Sequence, residues 1–592
     1  MIGRIAAHRC LWALVVAITS VRLSAQTPDT PAPETPPPYA VTEDTYRALS
    51  RRPSLARRTD GRRHLAATAD PRAFATLSAV YADPEQPHEF VRSLLVSMLA
   101  DHFTESAHAE LWRNWRVANS TAGDAWLWYN AVAQEGLADR ELWRTLVQQK
   151  MPVELRAATL IATTERPRSV PLDDETLGLI TDFGAGIGTR SYERAVLLEA
   201  LVGLFTEQPL PPPPPPPAPP ADAPDAPAAP AAPAQPPPPA IPPSPLGKPQ
   251  RTILRSLAYA MAEPATTARS RIVLARLLAR ALHRDNLGPD AATWIELLGD
   301  APAAEIEMAY ALKRGAARPG FFGITEHGRA IAYVIDASDS MLQPLTPRER
   351  QDLQPLTGKE GVKAPAPGPG TQAELAIDWT KVKTRFDGAR ELLKLALRRL
   401  TPEQQFTIVL FGNKAEHLTA TPQLVAATPK AIAAACRDLD AIRPGPNHKD
   451  RPYGTLRGQT NLHGGLLRAF RTGEAKSTDP KARSDVRAFE YGVDTIFVLS
   501  DGAPNADDWD AVDANESGRA GDPEAGTSYR YEGDVVYPGP FAYGFGLLED
   551  LRRLNLLRRC AIHTVGIGEA DYDLLQRIAA VGHGTTVQIG KQ

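Results

Sequence analysis

The chain predicts a doubly wound, mostly parallel α/β domain at its carboxyl end, preceded by an all-helical region. Two apolar, β-branched runs, Ala332–Ile335 and Thr495–Leu499, each lead within two residues to an aspartate. Such continuous runs are what strands buried on both faces require. Between and after them, helix-period and strand-period segments alternate, the pattern of a sheet with helices on both faces. Before them, from about residue 88 to residue 283, amphipathic helical runs follow one another with no strand between.

The elements of the carboxyl-terminal part follow in order. Lys383–Arg399 places Phe386, Ala389, Leu392, Leu393, Ala396 and Leu397 at helical spacing, and Gln405–Phe411 is a strand run. Pro429–Leu439 reads as helix, Leu462–Phe470 as a short amphipathic helix, and Phe545–Arg559 as a Leu/Arg amphipathic helix. Ala561–Val565 is a strand ending at Gly566, Leu574–Val581 a helix and Thr585–Ile589 a closing strand. Gly464 and Gly465 allow their helix to pack closely. Three long polar loops, Gln343–Thr380, Arg443–Gln459 and Ala503–Pro540, flank these elements, and long loops on a rigid scaffold commonly carry recognition. The third holds Asp507, Asp508, Asp510, Asp513 and Glu516, but Val512 and Asp513 stand where a calcium loop needs an oxygen ligand and a glycine. It is expected to be a solvated acidic loop.

Toward the amino terminus, His88–Phe103, Ala107–Val117, Asp139–Gln149, Val153–Thr163, Tyr192–Phe205, Thr252–Met261 and Arg269–His283 are amphipathic helical runs. Without a strict period they predict either a HEAT-like helical-repeat array or a helical bundle, both commoner as binding scaffolds than as catalysts. The stretch Pro211–Pro243 is almost wholly Pro and Ala, so it is polyproline II or coil, because proline donates no backbone hydrogen bond. Helical segments resume after it, which favours a spacer or insertion over a bait for aromatic-grooved domains. The expected organisation is a leader (1–25), a disordered Pro-rich segment (26–60), a helical region (61–207), the Pro/Ala segment (208–247), more helix (248–318) and the α/β domain (323–592).

Composition sets limits on partners and compartment. With 592 residues and 43% hydrophobic content there is chain enough for two or three cored domains. The formal charge is -3, and falls to about -6 if Arg4, Arg9 and Arg22 leave with the leader, so nucleic acid and anionic membrane are not the expected partners. Arg4 and Arg9 precede the apolar run Leu11–Ile18, and Ser24–Ala25 precede Gln26, an export signal too short to span a bilayer well. The expectation is an exported protein, periplasmic or extracellular and soluble after cleavage, with a retained anchor as the alternative. Cleavage would remove Cys10 and leave Cys436 and Cys560, which either pair or are small buried residues.

The chemistry concentrates at the strand ends. Asp336, Ser338 and Ser340 form D-x-S-x-S on a tight turn, Asp501 follows the second apolar run and precedes Gly502, and Thr460 lies in a loop between them. Short oxygen side chains with few carboxylates suit a hard divalent cation such as Mg²⁺, which keeps waters and open positions. These residues resemble the metal-ion-dependent adhesion site of von Willebrand factor type A domains: D-x-S-x-S, then a threonine, then an aspartate. The resemblance covers roughly the last 270 residues. It implies Mg²⁺, with Mn²⁺ or Ca²⁺ as alternatives, held directly by Ser338 and Ser340, directly or through water by Thr460, and largely through water by Asp336 and Asp501. It further implies that a protein partner's Asp or Glu carboxylate fills the open position, in an adhesion or assembly role.

No catalytic residue is assigned. The chain has no phosphate loop G-x-x-x-x-G-K-[ST], no H-E-x-x-H and no G-x-S-x-G. A metal-dependent hydrolase using the same ion is the alternative, and it needs a general base, for which His463 or the acidic loop are the candidates. His463 is otherwise expected to face solvent or the sheet. A third reading is a structural scaffold in which the metal site is idle.

Overall fold

The computed structural model describes residues 39–129, 248–298, 321–357, 377–442, 458–474 and 491–590, apart from short gaps, together with scattered residues between 152 and 161. The predicted leader, the Pro/Ala segment Pro211–Pro243, and the helical runs Asp139–Gln149 and Tyr192–Phe205 lie outside the described residues, as does most of Val153–Thr163. Among the described residues, no helix is long and apolar enough to cross a membrane.

The amino-terminal part is helical. Its described helices are α1 (Tyr39–Ser50), α2 (Leu55–Ala67), α3 (Pro71–Ala82), α4 (Glu89–Phe103), α5 (Ala109–Ala118), α6 (Lys248–Ala262), α7 (Ala268–Ala281) and α8 (Ala291–Leu297). The sequence predicts a disordered segment over residues 26–60, whereas α1 and the start of α2 lie within it as helix. Pro38 is the last proline before α1 and the dodecamer carries none, so nothing blocks the helix once Thr42 is buried by its neighbours. Side-chain caps set several starts: Ser54 accepts from the Arg57 amide, Asp70 from Arg72 and Thr267 from Ser270. Residues of α2–α5 share one apolar core with Leu556 and Leu557 of the carboxyl-terminal part, and α6–α8 form a second.

The carboxyl-terminal part is an open sheet. Its described elements are β1 (Ala330–Asp336), α9 (Pro347–Leu353), α10 (Arg385–Arg398), β2 (Gln405–Phe411), β3 (Ala415–His417), β4 (Val425–Ala426), α11 (Pro429–Ala441), α12 (Leu462–Arg471), β5 (Thr495–Ser500), β6 (Ala511–Asp513), β7 (Arg519–Asp522), β8 (Thr527–Arg530), β9 (Val535–Tyr537), α13 (Gly544–Asn555), β10 (Ala561–Ile567), α14 (Tyr572–Val581) and β11 (Thr586–Ile589). The order β11-β10-β5-β1-β2-β3 is parallel from β11 to β2, with β3 and β4 antiparallel to β2. Side chains alternate between two cores. Ile331, Tyr333 and Ile335 meet α10 and α11 on one face, and Ala332 and Val334 meet α12, α13 and α14 on the other. A Cβ on Gly465 would lie 2.9 Å from Val334 Cγ1, so this glycine lets α12 approach β1 as the sequence implies.

Two of the three long loops carry secondary structure among their described residues, and all of Arg443–Gln459 but its last two residues lies outside the described residues. Gln343–Thr380 contains α9, started by a capping box between Thr346 and Glu349. Ala503–Pro540 contains two antiparallel ladders, β6 with β9 and β7 with β8. Cys436 and Cys560 are free thiols.

The two parts meet at the amino ends of the strands. From α7, Arg269 donates to the carbonyls of Gly492 and Arg558, and Arg276 to the Asp494 carbonyl and Thr495 Oγ1. Asp494 in turn accepts from the Arg329 and Ala330 amides, tying the start of β1 to that of β5.

Candidate metal centre

Strand register brings the two aspartates together. Ile335 pairs with Leu499, so Asp336 ends β1 beside Ser500, and Asp501 is the next residue. Here the chain order reverses: β2 lies on one side of β1 and β5 on the other. That is the crevice where open α/β sheets hold ligands.

Each carboxylate oxygen has a donor. Asp336 Oδ1 accepts from the Ser338 amide at 2.8 Å and Oδ2 from Ser500 Oγ at 2.7 Å. Asp501 Oδ1 accepts from Ser340 Oγ at 2.6 Å and Oδ2 from Arg385 Nη1 at 3.0 Å. Ser338 Oγ and Ser340 Oγ are 3.0 Å apart. Thr460 enters from the third segment: its amide donates to Asn505 Oδ1 at 2.8 Å, and its carbonyl accepts from the Asn505 amide at 3.2 Å. Thr460 Oγ1 and Ser340 Oγ both flank Gly502, 3.9 and 3.8 Å from where its Cβ would stand. All five predicted residues therefore gather at one edge of the sheet.

Gly458, Thr460 and Asn461 are held by local bonds. Gly458 adopts φ +81° against Asn413, whose Oδ1 accepts from the Gln459 amide, and the Asn461 amide donates to the Gly412 carbonyl. The Asn461 side chain caps α12 by accepting from the Gly464 amide.

The electrostatics favour a cation. Burial, reinforced by the Asp501 charge, pushes the Asp336 carboxyl up to about 7. Burial also raises Asp501, while its bonds from Ser340 and Arg385 pull the other way. Two desolvated carboxylates beside three hydroxyls form a hard oxygen donor set that fits Mg²⁺ better than soft metals. If such an ion binds, Ser338, Ser340, Thr460, Asp336 and Asp501 would hold it, and it would supply an electrophilic position for an anionic oxygen.

Two residues of this network were not expected from sequence. Arg385 and Glu349 are buried at 4% and 1% exposure, joined through Nε and Oε1 at 3.0 Å. Arg385 opens α10, where the helix dipole disfavours a cation, and that misplaced charge was the available signal. Glu349 sits on α9 within a stretch otherwise read as loop.

Two expectations need correction. Asp507 and Asp508 are not solvated: Asp507 accepts from the Trp509 and Phe541 amides, and Asp508 accepts from Asn461 Nδ2 and pairs with Arg468. Asp508 fastens this loop to α12 and its cap, and Asp507 ties the loop to the backbone at Phe541, because a buried carboxylate must find donors. Of the two expected settings for His463, solvent is excluded. The imidazole is buried, bonded through Nε2 to Asp550 Oδ2 at 2.8 Å and stacked on Phe541 at 3.9 Å.

A family model for the von Willebrand factor type A domain matches residues 376–516 and 547–587. This match includes Thr460 and Asp501 and begins after Asp336–Ser340.

The chain carries a von Willebrand factor type A domain.

Among solved structures, a von Willebrand factor type A protein from Catenulispora acidiphila is 15% identical, with a TM-score of 0.24, over 45% of this chain and 40% of that one. The PilB minor pilin from Streptococcus sanguinis is 15% identical, with a TM-score of 0.22, over 44% of this chain and 56% of that one. The chain thus spans less than two thirds of either structure, and at these values the likenesses say nothing of function. No curated protein matches the chain. The matched residues take in α10–α12, β2–β6, β10 and α14, elements of the carboxyl-terminal part whose sheet carries Asp336, Ser338, Ser340, Thr460 and Asp501 at its carboxyl rim.

Proposed function

We propose that the protein is a binding module, of adhesion or assembly type, whose von Willebrand factor type A domain captures a partner's Asp or Glu carboxylate through Mg²⁺. Domains of this family mediate protein interaction in general, and the helical part serves as scaffold. The observation that carries the reading is the gathering of Asp336, Ser338, Ser340, Thr460 and Asp501 at the switch point of the sheet. Hydroxyls neutralise none of the ion's charge, so a bound Mg²⁺ keeps affinity for an anionic oxygen. Export, as the leader implies, would place such a module outside the cytoplasm.

The hydrolase alternative finds less support. Its histidine candidate, His463, is already engaged by Asp550 and Phe541, and a general base must reach the proton it takes.

The test uses Mn²⁺ as a paramagnetic stand-in and acetate as the minimal carboxylate. Acetate should be broadened in its proton resonance by the full-length protein with one equivalent of Mn²⁺, and not by the Asp336→Ala protein. Broadening equal in both proteins, or none in the wild type despite bound Mn²⁺, would contradict carboxylate capture.

A further inference from the structure

Asp501 shares its two oxygens between unlike donors. Oδ1 faces the hydroxyl of Ser340, while Oδ2 is taken by Arg385 Nη1, a permanent cation. The guanidinium is fixed rather than wandering. Its Nε bonds Glu349 Oε1, and Glu349 Oε2 accepts from the Thr346 amide at 2.7 Å. The ends of β10 and β11 leave room for the pair: a methyl group on Gly568 would collide with the Arg385 guanidinium, and one on Gly590 with Glu349. Gly568 and Gly590 have φ of +65° and +76°, a second reason for glycine there. The Gly590 amide also bonds Asp352 Oδ2 on α9 at 2.8 Å.

We propose that Arg385, set by Glu349, is the positioning residue that fixes the metal's affinity: it holds Asp501 Oδ2 away from direct ligation and places a fixed positive charge beside the divalent ion. This rests on the metal-binding reading above and deepens it. An aspartate committed to a guanidinium ligates through water more readily than directly, and a neighbouring cation opposes the incoming one. Both effects weaken metal binding and leave the bound ion less neutralised, which strengthens its hold on an outside carboxylate. Glu349 has a second effect of opposite sign, since its own charge offsets that of the guanidinium.

The two residues therefore carry opposite expectations, which a merely structural role does not. Mg²⁺ is titrated into the metal-stripped full-length protein by calorimetry, with folding checked by circular dichroism. Arg385→Gln should bind Mg²⁺ about ten-fold more tightly than wild type, and Glu349→Gln about ten-fold more weakly, for a charge change at short range in a buried site. If Arg385→Gln does not fold, Arg385→Lys serves instead: it keeps the charge, loses the two-sided hold, and should bind Mg²⁺ a few-fold more tightly as Asp501 Oδ2 is released. Equal affinities in wild type and variants, or weaker binding in both Arg385 variants, would overturn the inference while leaving the metal site intact. Absence of Mg²⁺ binding to the wild type would instead remove the reading on which it rests.

Discussion

Ser500 Oγ donates to Asp336 Oδ2 at 2.7 Å, across the seam where β5 lies beside β1. This bond fixes the first aspartate of the proposed metal centre from the strand that delivers the second. Ser500 is no proposed ligand, yet its loss frees Asp336 to turn. Ser500→Ala should weaken Mg²⁺ binding by about ten-fold, the usual order for a group that orients a ligand, with the fold retained. Titration calorimetry checks it, and unchanged affinity would mean that Asp336 is held well enough by the Ser338 amide alone.

Asp336 is wholly buried, and the burial of its charge costs stability when no cation is present. In EDTA at pH 8, Asp336→Asn should therefore be at least as stable to urea as wild type. In excess Mg²⁺ the order should reverse, because only wild type gains from ligand binding. A variant unfolded under both conditions would show that Asp336 is needed for folding itself.

His417, on β3, offers a pH signature away from the metal edge. Burial, with the Arg468 charge adding, holds its imidazole down to about 4, and its Nδ1 lies 3.1 Å from Thr407 Oγ1. The unfolded chain binds this proton near pH 6.5 and the folded chain only near 4, so the contribution is intact above about 6.5 and is lost as pH falls toward 4. With allowance for partial solvent access, the loss is on the order of 2 kcal/mol. Unfolding free energies of wild type and His417→Gln from urea titrations between pH 7 and 4 should diverge by that amount. Parallel curves would contradict the shift.

Gly465 has a Cβ position 2.9 Å from Val334 Cγ1 and 3.0 Å from Phe411 Cδ1, both in the core beneath α12. Gly465→Ala should cost about 1–3 kcal/mol through overpacking. Since Thr460 immediately precedes α12, Mg²⁺ affinity should fall with it. Arg276→Met, at the opposite edge of the sheet, strips a donor from the Asp494 carbonyl and Thr495 Oγ1. It should destabilise by about 1–3 kcal/mol and leave Mg²⁺ affinity unchanged. Thermal melts and calorimetry on the two variants separate these effects.

Much of the α/β part was legible because its signals are local. Gln405–Phe411 is the strand predicted, and α10, α11, α13 and α14 fall within a few residues of the predicted spans. That Asp336, Ser338, Ser340, Thr460 and Asp501 share one edge was legible because strand ends and a motif place them. What escaped depends on distant partners. The stretch from Asp507 to Glu516 reads as solvated acid, but Asp507 is satisfied in part by the distant Phe541 amide and Asp508 by Arg468 and Asn461, none of which lies nearby in sequence. Arg385 meets Glu349 across 36 positions and Asp501 across 116, so composition gives no hint of the pairing. The first helix, Tyr39–Ser50, was lost to the prolines before it.

The most direct measurement of the central claim is calorimetric titration of Mg²⁺ into the metal-stripped, full-length wild-type protein and into Thr460→Ala. The account predicts one saturable site per chain in the wild type and markedly weaker binding in the variant, with circular dichroism unchanged. No saturable site in the wild type, or equal affinity after removal of the Thr460 hydroxyl, would contradict it.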